Sequence, residues 1–187
     1  MKAKLALLAV LLAGCAGNAP RENYYTLAAP VSSAPLATGV SPSIYVGPVS
    51  VPEAVDRTPL VLRTAANQVE ISDTDRWAEP LKTAIPRVLA DILSKELGTQ
   101  RVMASRQASA LPVDYRVAVE IQRFDSSLEQ GATLDALWTI TGPKGGAARS
   151  GRTVAQEPAT TRDPAGIAAA HSRALARLGR DIAAALR

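Results

Sequence analysis

Val113-Asp114-Tyr115-Arg116-Val117-Ala118-Val119-Glu120-Ile121-Gln122-Arg123-Phe124 alternates more cleanly than any other stretch of this chain. Val113, Tyr115, Val117, Val119 and Ile121 share one parity; Asp114, Arg116, Glu120 and Gln122 take the other. That is the period-two pattern of a strand with one buried and one polar face. Leu134, Ala136, Trp138 and Ile140 repeat it, Gly142-Pro143-Lys144-Gly145-Gly146 supplies a turn, and Ser150 to Glu157 can return as a third antiparallel strand. The segment predicts a meander.

Beyond it, Asp163-Pro164 opens a helix with a cap residue followed by proline at the first helical position. Ile167, His171, Leu175, Leu178, Ile182 and Leu186 form its apolar stripe. Arg173, Arg177, Arg180 and Arg187 lie almost opposite, as a solvated face or as a contact for lipid headgroups or an acidic partner. Before the meander, a helix is expected over about 76–97, capped by Asp75, with Pro80 in its first turn and Gly98 as its stop. Pro86 should kink it, or the helix proper starts there. Earlier still, Tyr24 to Leu27 and Ser43 to Val49 read as strands, and Pro48 favours an edge or a strand end. Leu60 to Thr64 and Gln68 to Ser72 read as a hairpin around Ala65-Ala66-Asn67, and Arg101 to Ala104 as a short strand. Four strands, a helix, four strands and a helix predict an α/β fold: a single domain with a mixed, largely antiparallel sheet and two main helices, the second over about 164–186.

The N-terminus speaks about location. Lys2 and Lys4 precede an apolar run, Leu5 to Ala13, too short to span a bilayer, and Leu12-Ala13-Gly14-Cys15 places small residues before the only cysteine among 187 residues. This is a lipobox: residues 1–14 are the expected signal peptide, cleavage falls between Gly14 and Cys15, and Cys15 carries the lipid. The alternative is an ordinary secretory signal with a chance cysteine. Acylation accounts for a lone thiol in an oxidising compartment, because it removes the thiol. Residues 15–23 read as a tether, residues 24–187 as the domain. Ala28 to Pro42 is an Ala/Pro/Ser/Thr-rich loop.

Chemistry is sparse. His171, the sole histidine, sits on an apolar stripe, and no carboxylates stand at ligand spacing, so neither a metal nor any cofactor beyond the covalent lipid is expected. Nucleophile elbow, phosphate loop and dinucleotide fingerprint are absent, which argues against an enzyme. The formal charge of +4 comes without a basic tail or interleaved aromatic and basic residues, so nucleic acid is not an expected partner. Asp56-Arg57 and Arg76 with Glu79 are candidate ion pairs. Val49, Val51, Val55 and Leu60 exceed what a polar connection carries; they form an apolar surface patch or pin the loop to the core.

Tyr24-Tyr25-x-Leu27, Ile44-x-Val46-x-Pro48-Val49-x-Val51-Pro52, Asp56-Arg57 and Arg76-Trp77-Ala78-Glu79-Pro80-Leu81, in this order behind a lipobox, resemble the PqiC-type (paraquat-inducible, ABC-type transport auxiliary) lipoproteins. The resemblance spans essentially the whole mature chain. Its family-signature positions are Pro48, Val51, Pro52, Asp56, Arg57, Trp77, Pro80 and Leu81, structural or partner-facing. It implies a non-enzymatic periplasmic domain held at the outer membrane through acyl chains on Cys15, a sorting that Ala16 also suits. The implied partner is an MCE-domain protein of an ABC transport system that conducts lipid, and self-association around a conduit is implied as well. The competing reading is a lipid-anchored pilot or assembly lipoprotein for another outer-membrane complex.

Overall fold

The computed structural model describes residues 21–30, 42–143, 146 and 148–187. Its strands are β1 (Asn23–Tyr25), β2 (Ile44–Ser50), β3 (Pro59–Ala65), β4 (Gln68–Trp77), β5 (Val102–Met103), β6 (Tyr115–Ser127), β7 (Gly131–Thr141) and β8 (Arg149–Glu157). Helix α1 (Leu81–Leu97) follows β4, and α2 (Pro164–Leu186) follows β8. The strands make one mixed sheet, and the long β6 organises it. On one side β6 pairs antiparallel with β7, which pairs antiparallel with β8. On the other, its first half pairs parallel with β2, and Ser126 near its end meets Leu62 of β3. The long pairings are antiparallel and the parallel ones short, as the alternation predicts.

The meander forms where expected, with one adjustment. Register slips between Ile121 and Arg123, and this bulge carries Phe124 onto the face of Val117, Val119 and Ile121. Pro48 lies in a second irregularity, between Val46 and Val49, where β2 has run past the two-residue β5 and needs no donor on that side.

The first helix differs from expectation. It starts at Leu81, not at Arg76, because β4 continues through Trp77. Sheet pairing decides the boundary: β1 runs parallel to Asp75, Arg76 and Trp77. The Asp75 carboxylate, expected as a cap, instead accepts from Asn23 Nδ2 at 3.1 Å, Tyr25 Oη at 3.0 Å and Ser72 Oγ at 2.8 Å. Pro80 stands at the cap position, and its carbonyl accepts from the Thr83 and Ala84 N–H groups. The helix runs on through Pro86 to the left-handed Gly98 (φ 64). Asn23, the last residue of the expected tether, is the first of β1, and Glu22 pairs with Arg76 at 2.8 Å.

Both helices cover the same face of the sheet. α1 lies over β2 and β5, α2 over β7 and β8, and they pack on each other. At Gly179 a Cβ would stand 2.4 Å from Ile92 Cγ2, so the missing side chain sets how closely the helices approach. Asp163 caps α2 by accepting from the Gly166 N–H at 2.7 Å, and that bond, with one from Thr161, holds its carboxyl below the usual value. The core is one cluster, from Leu27, Ile44 and Leu60 through Trp77 and Leu81 to Leu175 and Ile182.

Candidate functional site

Among the described residues no α-helix packs on the opposite face of the sheet. Cross-strand register puts Glu120, Leu137 and Arg152 in one row there, and Arg123, Asp135 and Val154 in the next. Two ion-paired groups form a belt across it. Arg152 clamps Asp135 through two bonds, Nε at 2.8 Å and a terminal nitrogen at 2.6 Å, and these hold the Asp135 carboxyl below the usual range. Asp125 accepts from Arg63 at 3.1 Å and from Arg123 at 2.6 Å. Burial pushes the Asp125 carboxyl up, but the two guanidinium groups outweigh it and bring it below its ordinary value.

Apolar surface flanks the belt on both sides. Toward the β3–β4 hairpin, Val61 pairs with Ile71 and Arg63 with Val69, so all four share this face. Val69 is 49 % and Ile71 46 % exposed. Val69 and Val61 line a cavity of about 190 Å³ together with Pro52, Ala54 and Val55. Toward β7 and β8, Leu137 and Val154 are exposed, and Leu137, Pro48, Val49 and Ala118 line a second cavity of about 280 Å³. Exposed aliphatic side chains beside fixed charge pairs suit recognition of a protein surface.

A buried polar cluster lies under the helices. His171 is fully buried, stacks on Phe124 at 3.8 Å between centroids and meets the Trp77 ring edge-on at 6.0 Å. Its Nε2 shares a 2.8 Å hydrogen bond with Ser126 Oγ. Burial pushes the imidazole down to about 3, against a smaller opposing pull from Asp125, so the ring is neutral at physiological pH. Without a path to solvent it serves packing rather than proton transfer. Among the described residues no group of three or more potential metal ligands comes together, and no helix is long and apolar enough to cross a membrane.

The expected signature residues divide by role. Val51, Trp77 and Leu81 are buried in the core. Pro48 and Pro52 line the two cavities of the open face. Asp56 pairs with Lys82 of α1 at 2.6 Å rather than with Arg57, and Arg57 is exposed. Glu79 pairs with Arg87, so the expected Arg76–Glu79 pair is replaced by two others. Pro80 is exposed at the start of α1. Gly14, Cys15 and residues 31–41 lie outside the described residues. Of the two readings of the Val49 to Leu60 connection, Val51 and Leu60 follow the one that pins it to the core, while Val49 and Val55 are half-buried against it. Val69, Ile71, Leu137 and Val154 were not expected as surface. Their alternation is visible in the sequence, but which face the helices cover is not.

Comparison with known proteins adds the following. The family described as ABC-type transport auxiliary lipoprotein component matches residues 25–183. A crystal structure described as an uncharacterized protein is 18 % identical, with a TM-score of 0.73, covering 90 % of this chain and 100 % of its own. Protein XCC0632 from Xanthomonas campestris, of family DUF330, is 18 % identical with a TM-score of 0.67, covering 86 % of this chain and 92 % of its own. These two likenesses show the fold. No curated protein matches the chain.

Proposed function

We propose, because the chain belongs to the family of ABC-type transport auxiliary lipoprotein components, that it is a non-enzymatic periplasmic lipoprotein held at the outer membrane by acyl chains on Cys15. There it docks an MCE-domain protein through which an ABC system moves lipid between membranes. The observation that carries the docking role is the helix-free face: Val69, Ile71, Leu137 and Val154 are exposed on either side of an ion-paired belt. A fixed belt gives register and the aliphatic lobes give contact area, the division of labour found in protein interfaces. The seven residues from Cys15 to Arg21 would reach roughly 25 Å if extended, so a lipid-anchored domain could turn this face toward a partner arriving across the periplasm.

Crosslinking and affinity purification of the full lipidated protein from native envelopes, with mass spectrometry of proteins and lipids, tests this. Recovery of an MCE-domain protein with phospholipid is expected. A sample lacking both overturns the reading. Recovery of a secretin or an outer-membrane barrel alone would replace it with the pilot or assembly role.

A further inference from the structure

Docking through the open face leaves the outward side of α2 without a role. Ala169, Arg173, Arg177, Arg180, Ala184 and Arg187 follow one another at steps of three and four, so they lie along one line on the side of the helix turned away from the sheet. From Arg173 to Arg187 the line is about 21 Å long. Its only other members are alanines, which put nothing bulky between the guanidinium groups and a flat surface. The chain answers this charge only in part. Arg173 pairs with Glu157 at 3.3 Å. Arg177, 58 % exposed, stands 3.8 Å from Asp181, whose carboxylate is turned to the sheet by a 2.8 Å bond from Thr153 Oγ1. Arg187 donates to the Glu96 carbonyl, a neutral acceptor, and the exposed Arg180 has no ion pair among the described residues. With Glu157 and Asp181 set against the four arginines, two positive charges remain. α1 beside it differs: Lys82 and Arg87 are paired with Asp56 and Glu79, and its Lys95 is outnumbered by Asp91 and Glu96.

The N-terminal chain enters the domain beside this stripe. Tyr24 and Tyr25 line one cavity with Ala165, Ala169 and Arg173, and the Ala28 N–H donates to Ser172 Oγ at 3.2 Å. Tyr24 is 58 % exposed there, an amphipathic ring of the kind that sits at headgroup level. We propose that α2 lies with its arginine stripe on the anionic phospholipid surface of the membrane that carries the anchor, so that the open face of the sheet points away from the bilayer. The inference deepens the docking reading and rests on its lipid anchor at Cys15. The acyl chains hold the protein and the stripe sets which side faces down: each unpaired arginine near such a surface adds an attraction that salt weakens. A membrane is favoured over an acidic protein because the stripe offers charge on a straight, shallow line, with no aromatic or large aliphatic side chain along it to fill a partner's pocket.

The test places the full lipidated protein in vesicles of phosphatidylcholine, with and without phosphatidylglycerol. Cys15 is the only cysteine, so once it is acylated Ala184→Cys or Val154→Cys supplies the single thiol for a fluorescent donor, and the vesicles carry a headgroup acceptor. With phosphatidylglycerol, energy transfer from position 184 should exceed that from position 154, and the excess should vanish in phosphatidylcholine alone or as salt rises. Arg180→Gln should shift the ratio of the two orientations about fivefold, and adding Arg177→Gln should shift it further. Both positions are exposed, so thermal midpoints should match the wild type. Equal transfer from the two positions in anionic vesicles overturns the proposal, as does stronger transfer from position 154 or an excess indifferent to lipid charge, salt and Arg180. Crosslinks from position 184 to a protein in native envelopes, without a preference for anionic vesicles, would assign the stripe to an acidic protein instead. The intact mass of the same sample reports acylation. A chain without acyl groups refutes the anchoring reading and is then sedimented with both kinds of vesicle: salt-sensitive capture by the anionic ones supports the stripe, and no capture overturns it. Failure to recover an MCE-domain protein from envelopes leaves these vesicle results standing.

Discussion

On β7, Ala136 is fully buried, while its neighbour Leu137 is 41 % exposed. On β8, Ala155 is buried and Val154 lies open. In each of these two pairs the smaller apolar residue faces the helices and the larger faces solvent, the reverse of what burial by size would give, although β7 buries Leu134 and Ile140 on the covered face as well. Close approach of α2 explains the covered face: its own buried residues include Ala168, Ala170, Ala174, Ala176 and Ala183, and small side chains on both surfaces let helix and sheet meet. No such approach explains the open face. There the large aliphatic residues stand open to a contact outside the chain, so the covered face carries stability, and the open face is the one the proposed docking role uses.

Trp77→Ala should break that comparison hardest. The indole is 3 % exposed, meets Phe124 edge-on at 6.3 Å and closes β4 just before α1. Its loss leaves a cavity under both helices and should cost about 3–5 kcal/mol of unfolding free energy, read by urea denaturation. A loss below about 1 kcal/mol would show that stability does not reside on the covered face.

The next effect in size is a pH dependence belonging to the same face. His171, with a folded value of about 3, titrates well below its unfolded counterpart near 6.5, so between these pH values the unfolded chain binds a proton that the folded chain does not. The stability due to its neutrality is complete above about pH 6.5 and falls by up to about 1.4 kcal/mol per pH unit as pH drops. Glu22, Asp75, Asp114, Asp125, Asp135 and Asp163 all lie below their ordinary values, so their contributions are lost only under about pH 5. Between about pH 6.5 and 5 the slope therefore belongs to His171. Urea midpoints across that range should decline in the wild type and flatten in His171→Gln; equal slopes would refute the assignment.

What could be read in the sequence follows from how local the signal is. The meander, the β3–β4 hairpin and the capped α2 rest on neighbours within a few residues, and they stand where alternation and Asp163-Pro164 put them. The start of α1 does not. Asp75 looks like a cap until β1, over fifty residues earlier in the chain, takes its carboxylate and the strand beside it. The bulge that turns Phe124 inward depends likewise on β7. The ordered Val-Pro and Trp-Ala-Glu-Pro-Leu elements were legible as a set, yet the structure divides them between core and surface, because parity within a strand does not say which side a distant helix will cover.

The smallest stability effect sharpens the comparison from the open side. Val69→Glu with Ile71→Lys leaves the net charge unchanged, and the glutamate falls opposite Arg63 in the hairpin register. Both positions are nearly half exposed, so the change in unfolding free energy should stay within about 1 kcal/mol, most of it β-propensity. Capture of the proposed MCE-domain partner from envelopes should nevertheless fail, since the substitutions charge an aliphatic lobe beside the Arg63–Asp125–Arg123 group. Undiminished capture by a folded variant would move recognition away from the hairpin, to the Leu137 and Val154 side of the belt. A variant that loses partner and fold together would place Val69 and Ile71 with Trp77, among the residues that hold the domain together.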